Sequence, residues 1–492
     1  MNTKHLKAKI LDLAIRGKLV PQDPSEGNAA DLLKKIREEK SILIEQKKIK
    51  ADKNSSFIIK ADDGRHYEHF ADGNLIDIED DIPFEIPENW CWCRLTQICE
   101  YGKCQNAEPA DLDPNSWILD LEDIEKDTGK IKQFKIFEER NSLSTKHVFT
   151  EGTVLYSKLR PYLNKVVIAP KDGFCTSEIL PLDFQGLYIN KFAQRLLMSP
   201  YFLSTVNMLT YGVKMPRLGT NEAKQIFVPL PPLSEQQRIV SAIEKAFEQI
   251  DIIEKNKLNL KTYIKQTKSK VLDLAIRGKL VKQNPSEGNA TDLLKIQNVL
   301  VESEIPFVIP ETWCWCRLGN CSSIISKGTT PKGGKNAYKK DGINFLRIEN
   351  LNDDGSINHS NIFHISVEDH EGGLKRSKLE AGDLLISIAG TLGKVGFVTE
   401  ADLPINTNQA IAFLRLRKNI FDNMYLKYAI ESSFINSELL SKTKVTSIPN
   451  LTLEIISNCL IPLPPLDEQQ RIVKNIKQIF EQLNILEKSL GQ

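Results

Sequence analysis

Apolar residues recur with 3-4 spacing through one long stretch of the chain: Ile239, Ile243, Ala246, Ile250, Ile253, Leu260, Ile264, Val271 and Leu274, with lapses at Lys257 and Thr267. This is the seam of a helix packed along its length against another helix. Ser234 to Gln237 (SEQQ) reads as a capping box at its head. The preceding PLPPL (Pro229 to Leu233) is an extended lead-in that cannot join the helix, and Gly278 is a stop signal at the far end. About 41 residues from Ser234 would span roughly 60 Å. A second stripe runs through Ile472, Ile476, Ile479, Leu483, Leu486 and Leu490, and its register resumes at Leu6, Ile10 and Leu13, with Gly17 as the matching stop. Val240, Phe247, Val473 and Phe480 widen both stripes. One helix leaves the first half of the chain and the other returns to it, so the pattern predicts an antiparallel coiled coil.

The two helices belong to an internal duplication. KILDLAIRGKLVPQDPSEGNAADLLK from Lys9 recurs from Lys270 as KVLDLAIRGKLVKQNPSEGNATDLLK, the same at 22 of 26 positions. IPFEIPENWCWCRL from Ile82 recurs from Ile305 as IPFVIPETWCWCRL, and PLPPLSEQQRIV from Pro229 recurs from Pro462 as PLPPLDEQQRIV. The three offsets are 261, 223 and 233, so the second copy lacks 38 residues of the charged stretch around Lys35–Asp81. Shifted by these offsets, Gln492 falls at 259 and Met1 at 262. The duplication is therefore expected to be circular, cut in the middle of a helix.

Composition narrows the class without deciding it. Hydrophobic residues at 41% and charged residues at 26% describe an ordinary globular chain, and 492 residues allow two to four domains. The net charge of +1 gives no global attraction to a polyanion, but a local basic patch can act while acidic residues elsewhere cancel it. The first twenty residues lack the apolar core of a signal peptide, and no run of about 18 apolar residues occurs. Nine cysteines suit a reducing compartment better than a disulfide framework, so a cytoplasmic location is expected.

Between the repeated blocks lie two segments, roughly 96–228 and 319–460, with no obvious similarity to each other. Both read as α/β, with strand-like runs such as GTVLYSKL (Gly152 to Leu159) and GDLLISIAG (Gly382 to Gly390). In the first, SKLRPYLNKV places Ser157, Lys158, Arg160, Tyr162, Asn164 and Lys165 in one strand and turn, and YGVKMPRLG adds Lys214 and Arg217. In the second, SKGTTPKGGKNAYKK offers Lys327, Thr329, Thr330, Lys332, Lys335, Lys339 and Lys340 among glycines. Lysines and glycine-exposed amides suit phosphates. Arg347 and Asn350 in FLRIENL are side chains able to reach guanine and adenine edges. One frame carrying two divergent inserts points to two readers of different DNA targets.

These residues also carry a family resemblance. PLPPL-[SD]-E-Q-Q-R-I-V at the head of a long helix, present twice, and the IP-x-x-W blocks resemble the specificity subunit of type I restriction-modification systems. So do GTTPKGGKNAYKKDGINFLRIENL, GDLLISIAGTLGKVGFV with NQAIAFLRL, GTVLYSKLRPYLNKV and TSIPNLTLEIISNCLIPLPPL. The resemblance covers nearly the whole chain; the Lys35–Asp81 stretch is its least typical part. It implies an α+β fold in which two α/β target-recognition domains are separated by two long antiparallel coiled-coil helices in a circular pseudo-two-fold repeat. The expected organisation is a repeat segment completing the second helix plus a charged linker (1–81), recognition domain one (82–228), the central helix and repeat segment (229–304), recognition domain two (305–461) and the C-terminal helix (462–492). The resemblance further implies binding of an asymmetric bipartite site on double-stranded DNA, with the helices setting the unread spacer. The implied partners are two methyltransferase (M) subunits and the endonuclease and translocase (R) subunits. S-adenosylmethionine is expected on the methyltransferase, with no cofactor in this chain and no membrane partner.

Catalytic motifs are not legible. There is no N/D-P-P-Y/F methyltransferase motif and no P-D…E/D-x-K nuclease pattern, and GTTPKGGK lacks the order and the hydroxyl residue of a phosphate loop. The WCWC blocks alternate like strands, with Cys91 and Cys93 on one face and the tryptophans on the other; their spacing is too short for paired zinc ligands. His66 and His69, in DDGRHYEHF, read as solvated loop residues. The chain is thus expected to read DNA and leave the chemistry to its partners.

Overall fold

A computed structural model describes residues 2–47, 55–140, 143–210, 215–303, 305–333, 337–443 and 450–491. The chain forms two compact units, Met1–Asn256 and Lys257–Gln492, and the division falls within the central helix Leu233–Ile276. In the first unit the N-terminal helix Thr3–Ile15 packs antiparallel to the start of the central helix. Lys7 pairs with Asp251 at 2.6 Å, Thr3 hydrogen-bonds Glu254, and further along Arg238 grips Glu26 at 2.8 and 2.6 Å. In the second unit the end of the central helix meets the C-terminal helix Leu466–Gly491 in the same sense. There Lys268 reaches Asn484 and Glu487 at 2.7 and 2.9 Å, and Arg471 grips Glu287 at 2.7 and 2.8 Å. Each unit therefore contains the antiparallel pairing that the stripes predict.

The seam is shorter than the periodicity suggests. Ile239, Ile243, Ile250, Ile264 and Val271 are buried, but Ile253 and Leu260 are 44% and 41% exposed. The N-terminal helix begins at Thr3, opposite Glu254, and so covers nothing beyond that turn in its unit. The stop signals hold: Gly17 and Gly278 have φ of 64° and 66°. In each turn the glycine N–H and the next one donate back into the helix, as at Gly278 to Ala275 (3.1 Å) and Lys279 to Leu274 (2.9 Å). A Cβ at either glycine would stand 2.3 Å from a proline ring, Pro87 or Pro310.

The SEQQ block does not cap its helix. The helix starts one residue earlier, at Leu233, and Glu235 and Gln236 turn into the protein instead. Glu235 accepts from Trp90 Nε1 at 2.9 Å and Gln22 Nε2 at 2.7 Å; Glu468 accepts from Trp313 Nε1 and Gln283 Nε2 at the same two distances. Gln236 bonds the backbone of Ile189 and Leu187, as Gln469 does that of Asp422 and Ile420. The local capping pattern loses to buried tertiary partners, and the repeat is a clamp joining helix, repeat segment and recognition domain.

Each WCWC block enters a strand at its first cysteine, but its first tryptophan stays outside: Trp90 packs in one cluster with Cys93 and Trp313 with Cys314 and Cys316, so the tryptophans do not share one face as expected. Cys91–Arg94 pairs antiparallel with Phe227–Leu230, and Cys314–Arg317 with Leu460–Leu463. The described residues of the stretch expected to be a charged linker are instead structured. They form the helix Ala29–Glu45 and an antiparallel three-stranded sheet, Ser56–Lys60, His66–Phe70 and Leu75–Asp77. Ile58 and Ile78 of this layer pack on Trp92 and Phe227, and Glu68, 4% exposed, pairs with Arg94 at 2.8 Å. His66 and His69 are accordingly strand residues, the first bonded to Glu79 at 2.7 Å and the second stacked on Phe57.

The two divergent segments share one fold. Val154–Ser157 lies between antiparallel Val166–Ile168 and Ile179–Leu182; Leu384–Ser387 lies between antiparallel Val395–Phe397 and Ile411–Leu416. Beside them Trp117–Leu119 runs parallel to Gly173–Thr176, and Ile343–Leu346 parallel to Ile405–Thr407. What is kept between the copies is the position of buried strands, which many apolar sequences satisfy.

Candidate nucleic-acid interface

The loop after the middle strand is built alike in both domains. Ser157 N donates to Lys165 O at 3.1 Å, and Ser387 N to Lys394 O at 2.9 Å. Leu218 N closes on Lys158 O, and Leu451 N on Ile388 O, both at 3.0 Å. Lys158 N meets Glu178 O at 3.0 Å, and Ile388 N meets Ala410 O at 2.8 Å. Thus 158–165 and 388–394 are counterpart loops, each buttressed by a Pro-x-Leu segment (Pro216 to Leu218) or its equivalent ending at Leu451. Two left-handed residues flank the turn in each: Arg160 and Asn164 (φ 49° both) in the first domain, Gly390 and Gly393 (φ 72° and 76°) in the second.

Within the first loop the residues singled out from the sequence divide into two groups. Lys158 and Arg160 are half-buried, Tyr162 is 44% exposed, and Arg217 holds Glu178 through three bonds of 3.2, 3.0 and 2.9 Å, which raises the guanidinium pKa. The backbone joins these segments, through Arg160 N to Pro216 O and the Leu159–Arg217 bridge. Ser157, Asn164 and Lys165 are corrections, because they serve the loop itself. The Ser157 hydroxyl donates to Leu159 O at 2.8 Å, the buried Asn164 amide donates to Met198 O at 3.3 Å, and Lys165 Nζ donates to Leu121 O at 2.5 Å. Burial lowers the Lys165 pKa. Lys214 lies outside the described residues.

In the second domain Thr329 and Thr330 sit beside the counterpart loop. Thr329 N donates to Thr407 O at 3.0 Å, and the Thr330 hydroxyl bonds the Gln409 side chain, next to Ala410. Gly328 is required there, since a Cβ would stand 2.1 Å from the Asn408 carbonyl. Lys327, Lys332, Lys339 and Lys340 are exposed, and Lys335 lies outside the described residues. Arg347 lies 3.6 Å over the Phe363 ring and pairs with Glu349 at 2.7 Å. Asn350 is a further correction. It is 2% exposed, and its amide accepts from Arg347 N and donates to Asn358 O, so it holds a turn and presents nothing to a base.

Sequence reasoning named no residue of the loop Ala389 to Lys394, with Thr391 at its tip, nor Gln409 or Asn450, as a DNA contact, although the stretches that hold them carried the family resemblance. The signal was a shared frame, serine at the start and Lys-Val at the end (Ser157…Lys165-Val166; Ser387…Lys394-Val395), hidden because the second loop carries one positive charge. The cysteines of the WCWC strands are free, and burial pushes the Cys314 thiol up to about 12. Among the described residues no group of three or more His, Cys, Asp or Glu side chains is arranged to hold a metal ion, and no helix is long and apolar enough to cross a membrane.

A family model described as the type I restriction modification DNA specificity domain matches residues 87–262 and 310–492. The chain is 25% identical to the type I restriction enzyme EcoAI specificity subunit of Escherichia coli, over 98% of this chain and 90% of that protein. It is 24% identical to the EcoEI specificity subunit of the same species, over 97% and 89%. Among solved structures it resembles the HsdS subunit from Thermoanaerobacter tengcongensis (TM-score 0.53, 22% identity, 83% of this chain and 93% of that one). A chain from a study of complex assembly and conformational transition of the type I R-M system gives TM-score 0.59 and 22% identity, covering 83% and 94%. These likenesses show the fold.

Proposed function

Because the chain belongs to the type I restriction-modification DNA specificity family, we propose that it reads an asymmetric, bipartite site on double-stranded DNA, one half through each recognition domain. The observation that carries this reading is the pair of counterpart loops: one backbone frame, presented twice, with different side chains at its tip. Equal loops would read equal half-sites; Lys158, Arg160 and Tyr162 against Ala389, Gly390 and Thr391 read unequal ones. Exposed lysines position the protein on phosphates, and loop side chains reach base edges. The repeated helical frame is read as the spacer and as the seat of two methyltransferase subunits. S-adenosylmethionine belongs to those subunits, which act on a base turned out of the duplex. Endonuclease and translocase subunits join for cleavage, and the complex works in the cytoplasm.

The test is methylome sequencing of cells that express this chain with its methyltransferase subunit. A bipartite methylated motif that vanishes when this chain is omitted supports the reading. Methylation that does not depend on the chain, or no complex between the two proteins, overturns it.

A further inference from the structure

We infer that Arg160 is a specificity-determining residue that reads a guanine in the half-site of the first domain; the inference rests on the DNA-reading role proposed above. Arg160 stands three residues after Ser157, and Gly390 stands three residues after Ser387 in the counterpart loop. Both have left-handed backbone, with φ of 49° and 72°. That conformation is free of steric cost for glycine and strained for arginine. Pro161 adds to the strain, because a following proline disfavours helical backbone in the residue before it. The fold therefore asks for glycine here, and the second domain supplies it.

No hydrogen bond or ion pair of the Arg160 side chain among the described residues offsets the strain. Among the described residues the Arg160 guanidinium makes no hydrogen bond or ion pair, and its Nε is buried without a partner. The backbone bonds at this position, Arg160 N to Pro216 O at 2.8 Å and Leu163 N to Arg160 O at 2.9 Å, would be made equally by glycine. Arg217, on the buttressing segment, is tied to Glu178 and so is not an equivalent free guanidinium. Strain held in a half-buried loop with no polar partner among the described residues points to a function outside the fold. A guanidinium with its fork unoccupied matches the O6 and N7 acceptors of guanine in the major groove. The neighbouring Lys158, a point charge, suits phosphate.

The experiment uses the full chain in complex with its methyltransferase subunit, bound to a library of duplexes with randomised sequence. The wild-type complex should select a bipartite site with guanine at one position of the first half. Arg160→Gly should melt no lower than wild type and relax that single position, weakening the wild-type site by about 5- to 150-fold, the range of a bidentate arginine–guanine pair. The second half should be unchanged. Arg160→Lys should relax the same position, because lysine keeps the charge and loses the fork. Three results overturn the inference. An R160G variant that melts several degrees lower makes the residue structural. Uniform weakening without relaxation, reversed by lysine, makes it a phosphate contact. An unchanged motif removes it from recognition. A wild-type complex that selects no bipartite site fails the underlying reading instead, and so is distinguished from all three.

Discussion

Glu235→Ala tests the clamp that seats the first recognition domain on the helical frame. The carboxylate is fully buried and accepts from Gln22 Nε2 at 2.7 Å, Trp90 Nε1 at 2.9 Å and Asn89 Nδ2 at 3.3 Å. The three losses are unequal. The Asn89 bond is long, and Gln22 keeps a second acceptor, Gly17 O, at 3.1 Å. The Trp90 indole, 5% exposed, has no other acceptor among the described residues. Leaving that N–H buried and unpaired costs about 1–3 kcal/mol. Loss of the γ-methylene adds about 1 kcal/mol, while relief of carboxylate desolvation offsets part of the total. The expected net is about 2–3 kcal/mol. Urea unfolding of the full chain, followed by tryptophan fluorescence, measures it. A double-mutant cycle with Trp90→Phe should return a coupling of about 1–2 kcal/mol, and Glu235→Gln, which keeps an acceptor, should cost less than half as much as alanine. A loss under about 0.5 kcal/mol, or additive behaviour in the cycle, would refute the clamp.

Three further outcomes follow from the same geometry. Gly278→Ala should destabilise the second unit by about 2–4 kcal/mol, from left-handed strain plus the clash with Pro310, read as a lowered midpoint in denaturant. Burial holds the Glu468 carboxyl above its ordinary value. A raised folded pKa means that its stabilising contribution is full below the unfolded value and is lost as pH rises through the folded one. Wild type should therefore gain on Glu468→Gln as pH falls from neutrality towards 4.5, and a gap independent of pH contradicts this. Lys332→Ala with Lys339→Ala should weaken DNA binding evenly across sequences and leave the selected motif intact. The salt slope should flatten by up to about 0.9 for each phosphate that is no longer neutralised.

Periodicity and repetition made the frame legible. The 3-4 stripes, the glycine stops and the strand character of the WCWC blocks each depend on local spacing; the stops are realised, the stripes over part of their length, and the strands from the first cysteine on. Where the sequence misled, tertiary partners had overridden a local pattern. SEQQ has the form of a capping box, yet Glu235 and Gln236 are drawn inward by Trp90 and by the Leu187–Ile189 backbone. The sheet at 56–77 escaped notice because its polar, histidine-bearing strands bury little beyond Ile58 and Glu68. At the candidate interface, residue type suggested chemistry that position withdraws. Asn350 and Lys165 have the right functional groups and commit them to turns and carbonyls. The loop 388–394 was the converse: its stretch carried the family resemblance, but its place as the counterpart of 158–165 shows only in the backbone bonds.

The central claim is that the two domains read two different half-sites. Selection from randomised duplexes by the complex containing this chain, repeated with loop 388–394 replaced by the sequence of 158–165, tests it most directly. The predicted result is a bipartite motif whose second half alone changes on replacement. Changes in both halves together, or a contiguous motif from the outset, would contradict it.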